Sequence, residues 1–422
     1  MAHESNCECT LRHADHSGAR AVGAARTAAS ANAMSRRILV TGAFRFPEGD
    51  AAAFRVQGLA RLLTALGWVV EFAGWESDHL GQTHYQYQGW NCYAMGEFRE
   101  SELPPLKRLV GFLTRGQRTL AWMDTLPRYD AVIAYNPPAW FAHTLLQRSR
   151  SQGFLAVLDT TEWYESSHLP GGKFGLAAVE NWCRMRVVYP RFDRVISISR
   201  FLFDHFRAPR GVRMPPLIDP ARLREPNPPK PAGSINFVYA GQAGRKDRLG
   251  AFIEALPATA ECLGIPVRLS IAGMTADQLR AALPVSESAL GLVDAHGRLS
   301  RAEVQALYER SHFSVFFRED LRYAWAGFPT KATESWLYGC PIVTNRVGDI
   351  GDLIEDGRDG LLLEEDALQD ELPGRLKAAL QTIGLEEMGR AARDKAARCF
   401  SDEHFLQPME MLLARGSDAR VK

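Results

Sequence analysis

The chain has 422 residues, of which 46% are hydrophobic and 23% are charged, and its formal net charge is +1. This length exceeds what one hydrophobic core usually serves and predicts two domains of about 150–200 residues each. The near-neutral charge excludes a dedicated nucleic-acid-binding protein, so any bound anion must be held by a local cluster of cations.

The seven cysteines are scattered and form no C-x-x-C pair. This predicts buried single thiols in a reducing compartment, and hence a cytoplasmic protein. The eleven histidines form no H-x-x-x-H or H-E-x-x-H pattern, so the sequence predicts no metal site. No apolar run approaches the roughly 18–20 residues of a membrane-spanning helix.

Residues 1–34 contain few large apolar side chains and lack the continuous apolar stretch of a secretory signal, so we expect a disordered leader. A first domain is predicted over 35–213, where apolar strands alternate with loops and helices. Its strands fall in the segments RILVTGA (37–43), WVVEFAGW (68–75), YDAVIAYNPP (129–138), FLAVLDTTEW (154–163) and FDRVISISRFLFDHF (192–206), and the first two flank an amphipathic helix over 54–67.

A proline-rich segment, 214–234, interrupts this alternation and predicts a stiff linker. Strands and helices resume over 235–400, and a C-terminal helix and tail follow over 401–422. We therefore expect an α/β fold with two doubly wound Rossmann-like domains that face a central cleft. Ligands of such domains bind beyond the carboxyl ends of the strands, which places the expected site in that cleft.

Three motifs of nucleotide and hydrolase chemistry are absent from the sequence. The first strand turn, TGAFRFPEGD, contains no G-x-G-x-x-G, and the chain has no G-x-x-x-x-G-K-[ST]. It also has no G-x-S-x-G. The sequence thus argues against a tightly bound NAD, a P-loop nucleotide or a hydrolase serine, and we expect no cofactor.

The segment YAGQAGRKDRLGAFIEAL, which follows the linker, combines a strand, two glycines and a cluster of cations before a helix. Gly241 and Gly244 would let the backbone approach a ligand closely. Arg245, Lys246 and Arg248 would add positive charge where a helix N-terminus already favours an anion. The alternative is a solvated basic helix start without a ligand.

The segment WAGFPTKATESWLYGCPIV predicts a second helix start, near Thr330, with free backbone N–H groups. Glu334 lies one turn into this helix, where its carboxylate can accept hydrogen bonds from the paired hydroxyls of a ribose. Two such helix starts indicate a diphosphate held between them, and therefore a nucleotide. A solvated carboxylate is the alternative for Glu334. The ligand-side residues of this turn are Gly327, Phe328, Pro329, Thr330 and Lys331.

The second half is similar to the donor-binding domain of the retaining GT-B glycosyltransferases of the family-four group. The similarity rests on YAG…GRKD, HGRLSRAEVQALYERSHFSVFFR and GFPTKATESWLYGCPIVTNRVGDIGDLIEDGRDGLLL. In the first half, LDTTEWYE and MPPLIDP resemble capsule and exopolysaccharide members. The resemblance extends over 37–410. It implies a metal-independent hexosyltransferase that moves a sugar from a nucleotide-sugar to a saccharide or lipid-linked acceptor, with retention of anomeric configuration.

The resemblance also implies roles for individual residues. Glu334 would bind the ribose, and Lys246 with Arg245 or Arg248 would hold the diphosphate, so the implied catalytic set is Lys246, Arg245 and Glu334. In the family, the first acid of the motif helps to hold the donor sugar. This sequence has Ala326 at that position, so it departs from the family's pattern at the donor-sugar contact. The base would be contacted by the turn His296, Gly297 and Arg298.

Two loops of the first domain, PEGDAAAFR and TTEWYESSH, follow strands and are expected to face the cleft. Gly49 would permit close approach to the donor, and Arg55 would add a cation. A core role for Trp163 and His168 is an alternative, and so is helix capping by Asp159. The acceptor-side candidates are Gly49, Arg55, Asp159, Glu162, Trp163 and His168.

The stretch PPLKRLVGFLTRGQRTLAWM (104–123) places Lys107, Arg108, Arg115 and Arg118 among apolar side chains. A basic amphipathic helix can lie on an anionic membrane surface, which would suit a lipid-linked acceptor at the inner face of the membrane. A peripheral helix with a solvated basic face is the alternative.

Two rival functions remain open. A sugar-nucleotide 2-epimerase has the same two-domain layout, and a catalytically degenerate glycosyltransferase-like binding subunit is suggested by Ala326. The GFPTKATES turn favours transfer over both.

Overall fold

The computed structural model describes residues 36–98, 110–244 and 247–415. These residues form two α/β domains, each built on a mainly parallel sheet with helices packed on it. The predicted fold class, two doubly wound Rossmann-like domains around a cleft, is confirmed.

Part of what the sequence predicts lies outside these residues. This part includes the leader, two of the three catalytic candidates, Arg245 and Lys246, and the cations Lys107 and Arg108 of the expected amphipathic helix. Their roles stay predictions from the sequence.

The N-terminal sheet has eight strands in the order β3-β4-β2-β1-β5-β6-β7-β8. Neighbouring strands pair in parallel except β3 and β4, which form an antiparallel hairpin. Strand β1 lies between β2 and β5. The chain passes from β1 to β2 on one side and later returns to β5 on the other side, so the loops after these strands diverge and open a crevice at the sheet edge. The strands are β1 Arg37–Gly42, β2 Val69–Gly74, β3 His84–Tyr87, β4 Trp90–Ala94, β5 Ala131–Tyr135, β6 Leu155–Thr160, β7 Arg194–Ser197 and β8 Arg210–Arg213.

Helix α1 of this domain starts directly after Asp50, whose carboxylate accepts a hydrogen bond from the Ala53 N–H at 2.8 Å. Its apolar face, which includes Val56 and Leu59, packs into the core on β1 and β2. The helices are α1 Ala51–Ala65, α2 Gln117–Met123, α3 Ala139–Gln152, α4 Leu176–Cys183 and α5 Arg200–Phe206. Shorter helical turns are Ser166–His168, Gly172–Phe174, Arg184–Val188 and Tyr189–Arg191.

The segment 214–234, predicted as a linker, is irregular apart from the short helix α6 Pro220–Arg224. It is fixed on the C-terminal domain, because Lys230 Nζ donates to the backbone carbonyls of Tyr308 at 2.9 Å and Tyr338 at 2.8 Å. The connection between the domains is therefore packed in part rather than free.

The C-terminal sheet has six parallel strands in the order β11-β10-β9-β12-β13-β14. They are β9 Ile235–Ala240, β10 Val267–Ala272, β11 Val293–Ala295, β12 Phe313–Val315, β13 Ile342–Thr344 and β14 Gly360–Leu362. The helices are α7 Gly250–Leu263, α8 Ala276–Ala282, α9 Glu287–Leu290, α10 Arg301–Arg310, α11 Arg322–Ala326, α12 Thr330–Leu337, α13 Gly348–Leu353, α14 Leu368–Thr382, α15 Leu385–Phe400 and α16 Leu406–Leu413, with the short turns Glu365–Ala367 and Asp402–Phe405.

The last helix, α16, returns to the N-terminal domain. Met409 and Leu412 belong to the same hydrophobic cluster as Ile38 of β1. Arg194 Nε donates to the Leu412 carbonyl at 3.0 Å. The chain therefore crosses between the domains twice, which ties the two sides of the cleft together.

Polar contacts join the domains beside the cleft. Ser199 Oγ, just before α5, donates to the carbonyl of Ala326 at 2.8 Å. The backbone N–H of Arg200 donates to the carboxylate of Asp349 at 3.0 Å. The N-terminus of α5 is thus held on the C-terminal domain.

The amphipathic helix predicted over 104–123 is not continuous in its described part. Gly116, with a left-handed φ of +95°, immediately precedes α2 and separates it from the helical turn before it. Arg115 packs over the Phe98 ring, 4.9 Å from its centroid, and Arg118 donates to a backbone carbonyl at 3.2 Å. The prediction of one basic amphipathic helix is wrong here, because the glycine breaks it and both arginines contact their own domain.

Candidate active site

Two cavities lie between the domains, beyond the carboxyl ends of the strands. Their volumes are about 350 Å³ and about 470 Å³. Ala51, Arg55 and Thr330 line both, so the smaller and larger cavities meet at these residues. Of the predicted site residues, the smaller cavity is lined by Arg55, Glu162, Trp163, His168, Gly327, Phe328, Thr330 and Lys331, and the larger one by Arg55, Thr330 and Glu334.

Helix α12 begins where the two cavities meet. Pro329 precedes Thr330, as the sequence predicts, and no side chain caps the first turn. No side chain therefore competes with an anion for the N–H groups of this turn, although that of Ala332 already donates to the Pro329 carbonyl at 2.9 Å. Phe328 is buried and packs edge-on against Phe400 with ring centroids 5.8 Å apart, which fixes the turn before the helix.

A buried acid, Asp247, holds two cations of the smaller cavity. Its carboxylate accepts from Lys331 Nζ, from Arg318 Nε at 3.0 Å and from the Tyr239 hydroxyl at 3.0 Å. Burial would raise the pKa of Asp247, but the positive charges of Lys331 and Arg318 outweigh it and lower the pKa to about 2. One ionised carboxylate thus faces two cations, which leaves net positive charge at the cavity wall.

Gly241 and Gly244 lie in the loop after β9, where the sequence places them, and line neither cavity. Their φ values of +150° and +154° favour glycine. A Cβ added to Gly241 would lie 2.9 Å from the Tyr239 hydroxyl oxygen and 3.2 Å from Lys331 Nζ. Gly241 therefore leaves room for the lysine beside Asp247.

Arg248, predicted to contact the diphosphate, does not line either cavity. Its guanidinium pairs with Glu319 at 3.3 Å and with Glu365 at 3.0 Å. The predicted diphosphate contact does not fit this placement, because two carboxylates on the domain surface already neutralise the charge.

Glu334 faces the larger cavity, one turn into α12. Burial raises the pKa of its carboxyl, and the charges of Arg301 and Lys331 act against that rise. Tyr308 lines the same cavity, but its hydroxyl oxygen is buried. A carboxylate acceptor facing the cavity suits a ligand that carries hydroxyl groups.

The predicted base-contacting turn follows β11. Gly297 has a φ of +68°, which favours glycine, and its N–H donates to the Met274 carbonyl at 2.8 Å. His296 and Arg298 are exposed on either side of it. All three residues of the turn lie outside the linings of the two cavities.

Ala326, which stands at the family's first acid, is fully buried and lines neither cavity. The nearest acids in sequence do not replace it, since Glu319 pairs with Arg248 and Asp320 accepts from the indole of Trp325. Within the described residues, the wall of the smaller cavity on this domain carries Arg318 and Lys331 instead of an acid.

On the opposite wall, Arg55 forms a buried pair with Asp159. The guanidinium donates to both carboxylate oxygens, with the shortest contact at 2.6 Å, and also to the Met214 carbonyl at 2.9 Å. Asp159 is fully buried and lines neither cavity. The predicted acceptor contact by Asp159 does not fit this placement, nor does the alternative of helix capping. The aspartate serves to hold the arginine.

The remaining acceptor-side candidates belong to the loop after β6. Trp163 borders the smaller cavity with only 4% of its surface exposed, and its ring lies 5.4 Å and 4.9 Å from the guanidinium carbons of Arg186 and Arg322. It therefore combines a core position with one face towards the cavity. Glu162 and His168 line the same cavity, and His168 is exposed.

Gly49 lies before α1 and does not line the cavities, although its neighbour Glu48 borders the larger one. A Cβ added to Gly49 would lie 2.6 Å from the Arg45 Cβ. The glycine is required for this close packing of the turn, rather than for an approach to the cavity.

Two residues of the site were missed by the sequence analysis, Asp247 and Arg318. Arg318 lies three residues after the end of β12, and the carboxyl end of a parallel strand is the place where ligands bind in such sheets. Asp247 stands next to the predicted cation pair in GRKD. Both signals were present, but only the fold shows that Asp247 joins two cations from different loops.

Among residues 36–98, 110–244 and 247–415, no three metal-binding side chains are grouped so that they could hold a metal ion. In the same part of the chain, no helix combines the length and apolar character needed to span a membrane.

Two domain families match the chain in succession. Residues 51–218 match the glycosyl transferase 4-like domain, and residues 234–381 match the glycosyl transferases group 1 family. No curated protein matches the sequence.

Solved structures share the fold. A sucrose-phosphate synthase from Thermosynechococcus elongatus is similar with a TM-score of 0.61 and 16% identity, over 89% of this chain and 98% of that one. A glycosyltransferase from Rickettsia africae ESF-5 has a TM-score of 0.61 and 11% identity, over 91% of this chain and 100% of that one. Anabaena Alr3699/HepE in complex with UDP-glucose has a TM-score of 0.56 and 15% identity, over 89% of this chain and 99% of that one. The two domain matches and the shared fold therefore show that the chain is similar to glycosyltransferases and has a fold of the GT-B type.

Proposed function

We propose that the chain transfers a hexosyl unit from a nucleotide-sugar to a saccharide or lipid-linked acceptor, with retention of anomeric configuration and without a metal. The observation that supports this most is the meeting of two cavities at the N-terminus of α12, beside Lys331 and Arg318. The Anabaena neighbour of the same fold is described with UDP-glucose, which supports a nucleotide-sugar as the donor here.

In this proposal the donor extends across both cavities. The nucleoside occupies the larger one, where Glu334 accepts hydrogen bonds from the ribose hydroxyls. The base contact at the turn 296–298, which lines neither cavity, stays a prediction from the sequence. The diphosphate lies at the first turn of α12, where backbone N–H groups and Lys331 favour an anion. Arg245 and Lys246, which the sequence predicts as further cations, would complete this part. The sugar occupies the smaller cavity.

Catalysis would be mainly electrostatic. The bond between the anomeric carbon and the phosphate oxygen breaks, and the diphosphate leaves with the electron pair while Arg318, Lys331 and the amides of α12 stabilise its charge. An acceptor hydroxyl attacks the oxocarbenium-like carbon from the same face, and its proton passes to the departing phosphate oxygen. The protein positions both reactants and needs no nucleophile of its own.

The acceptor would enter from the N-terminal domain, where Glu162, Trp163 and His168 line the smaller cavity. An aromatic ring and a carboxylate suit a saccharide, since one can stack on the sugar ring and the other can accept from its hydroxyls. The resemblance of LDTTEWYE and MPPLIDP to capsule and exopolysaccharide members supports a role in making a bacterial polysaccharide, in the cytoplasm or at the inner face of the membrane.

The proposal is tested by incubating the full chain with a panel of GDP-, UDP- and TDP-sugars, with and without acceptor saccharides, and measuring free nucleoside diphosphate. Release that depends on the acceptor, insensitive to EDTA, is the expected result. NMR of the product should show the anomeric configuration of the donor. An epimerised nucleotide-sugar would instead support the 2-epimerase, and binding without turnover would support a degenerate binding subunit.

A further inference from the structure

The hairpin of β3 and β4 holds the loop 43–50, which connects β1 to α1, at two points. The Tyr85 hydroxyl donates to the Phe46 carbonyl at 2.9 Å, and the Tyr87 hydroxyl donates to the Glu48 carboxylate at 3.0 Å. The Phe46 ring also packs edge-on against the Tyr87 ring, with centroids 5.6 Å apart. The two tyrosines are two residues apart on β3 and share a face of the strand, so one strand fixes the loop through both.

Glu48 connects this loop to the other domain. Its carboxylate pairs with the Arg301 guanidinium at 3.2 Å, and this guanidinium lies over the Phe54 ring of α1, 4.3 Å from its centroid. Glu48, Phe54 and Arg301 all line the larger cavity. Both side chains of the ion pair are about half exposed, so the pair itself adds little stability. The position of the loop therefore decides whether this contact across the cavity forms.

Glu76, which follows β2, lies beside the first of the two tyrosine contacts. Its Oε1 is 3.4 Å from the Tyr85 hydroxyl oxygen, while its Oε2 is buried and has no hydrogen-bond partner among the described residues. A Cβ added to Gly74 would lie 2.2 Å from this Oε2, so the glycine at the end of β2 leaves the space for the carboxyl group. The carboxyl group is therefore fitted into the fold between β2, the hairpin and the loop.

The Tyr85 hydroxyl has one proton and two acceptors, the Phe46 carbonyl and Glu76. A protonated Glu76 can donate to the tyrosine oxygen, which leaves the tyrosine proton for the Phe46 carbonyl, so both contacts form together. An ionised Glu76 competes for that proton and places a negative charge in a buried position. We propose that the loop 43–50 is a pH-sensitive element: protonation of Glu76 holds it, and ionisation loosens it together with the Glu48 contact to the C-terminal domain.

The groups that surround Glu76 favour its neutral form. Asp50, the cap of α1, adds a negative charge, while Tyr85 and Cys92 face it from β3 and β4. Burial raises the pKa of the Cys92 thiol to about 12 and also raises the pKa of the Tyr85 hydroxyl, so both groups stay neutral near pH 7. His79, in the turn before β3, lies against the Tyr85 ring with centroids 4.7 Å apart. Glu76 thus faces one negative charge and two neutral groups.

Burial is the main influence on Glu76 itself and raises the pKa of its carboxyl to about 7. The charge of Asp50 adds to this rise, and the Tyr85 hydroxyl and two backbone N–H groups act against it. The raised value belongs to the folded loop. The contribution of Glu76 to holding the loop is therefore complete below pH 4.5, the ordinary value for glutamate, and is lost as the pH rises to about 7.

The test is hydrogen exchange of the full chain, followed by mass spectrometry, with the protection factors of residues 43–50 measured between about pH 5 and pH 8. In the wild type these factors should fall by more than about tenfold over this range, because opening of the loop releases the proton of Glu76. In Glu76→Gln, which stays neutral and can still donate to the tyrosine oxygen, they should stay constant. The matched control Asp78→Asn removes an exposed acid from the same turn and should respond to pH as the wild type does.

Constant protection of the loop in the wild type would overturn the proposal. A fall that persists in Glu76→Gln would also overturn it and would assign the response to another group, such as His79. A pH response confined to the hairpin, with residues 43–50 unchanged, would show that Glu76 does not act on the loop and would equally contradict the proposal. The measurement needs no substrate, so its outcome is independent of the proposed function.

Discussion

Each wall of the cleft contains a buried aspartate that pairs with cations, but the number of cations per aspartate differs. On the N-terminal wall, Arg55 and Asp159 form a closed pair in which both oxygens of the carboxylate accept from one guanidinium. On the C-terminal wall, Asp247 serves two cations, Arg318 and Lys331. The first arrangement is neutral, and the second retains a positive charge that a ligand can use.

The comparison shows that the ratio of cations to acids, rather than the presence of arginine or lysine, separates a structural pair from a binding site. A closed buried pair matters chiefly for the stability of the fold, because removal of one partner leaves a buried charge without compensation. A shared acid instead orients two cations without neutralising both. Mutations on the two walls should therefore affect different properties, stability on one wall and turnover on the other.

The largest effect is expected on the N-terminal wall. Asp159→Ala should lower the free energy of unfolding by about 3–5 kcal/mol, because Arg55 would stay buried without a partner. Denaturant unfolding of the purified chain measures this loss. The control Asp124→Ala breaks an exposed pair with Arg148, which should cost at most about 1 kcal/mol. Equal losses for the two variants would contradict the structural role of the buried pair.

On the C-terminal wall, Lys331→Ala should lower kcat by about 10²–10³, since it removes one group that stabilises the charge of the leaving diphosphate. Arg318→Ala should have an effect of the same size, and both variants should unfold close to the wild-type denaturant midpoint. Lys246→Ala, at the lysine predicted from the sequence, is expected to match them. Turnover that survives in Lys331→Ala would remove this lysine from the site.

A smaller effect is expected in the larger cavity. Glu334→Gln should raise the KM for the donor about tenfold and leave kcat nearly unchanged, because the ribose contact is present in both the ground state and the transition state. Burial raises the pKa of Glu334, so the accepting carboxylate is lost as the pH falls towards that value. The wild-type KM should therefore rise at acid pH, and the KM of the variant should stay flat. A lower kcat at constant KM would argue for a catalytic role instead.

The sequence predicted the fold well because the signals are local. Apolar strands, the prolines of 214–234 and the helix start at Thr330 each depend on a few neighbouring residues, and the fold class and the position of α12 were confirmed. The helix over 104–123 failed at Gly116, whose left-handed conformation separates two short helical segments. The hairpin of β3 and β4 was not anticipated, because its short strands carry polar residues among the aromatic ones.

The site was only partly predictable, because pairing between distant residues is invisible in the sequence. Arg248 and Arg55 both read as free cations, yet the first is neutralised by Glu319 and Glu365 and the second by Asp159. Arg318 and Asp247 are separated by about 70 positions and meet only through the fold. Charge counting along the chain therefore identifies candidates, and the folded arrangement decides which charges remain for a ligand.

The central claim is that the C-terminal wall retains positive charge for a diphosphate. Calorimetric titration of UDP, GDP and TDP, each against its nucleoside, into the wild type and Lys331→Ala tests it most directly. The account predicts that one diphosphate binds the wild type at least tenfold more tightly than its nucleoside, and that Lys331→Ala loses most of this difference. Equal affinities for diphosphate and nucleoside in the wild type, or an unchanged difference in the variant, would contradict it.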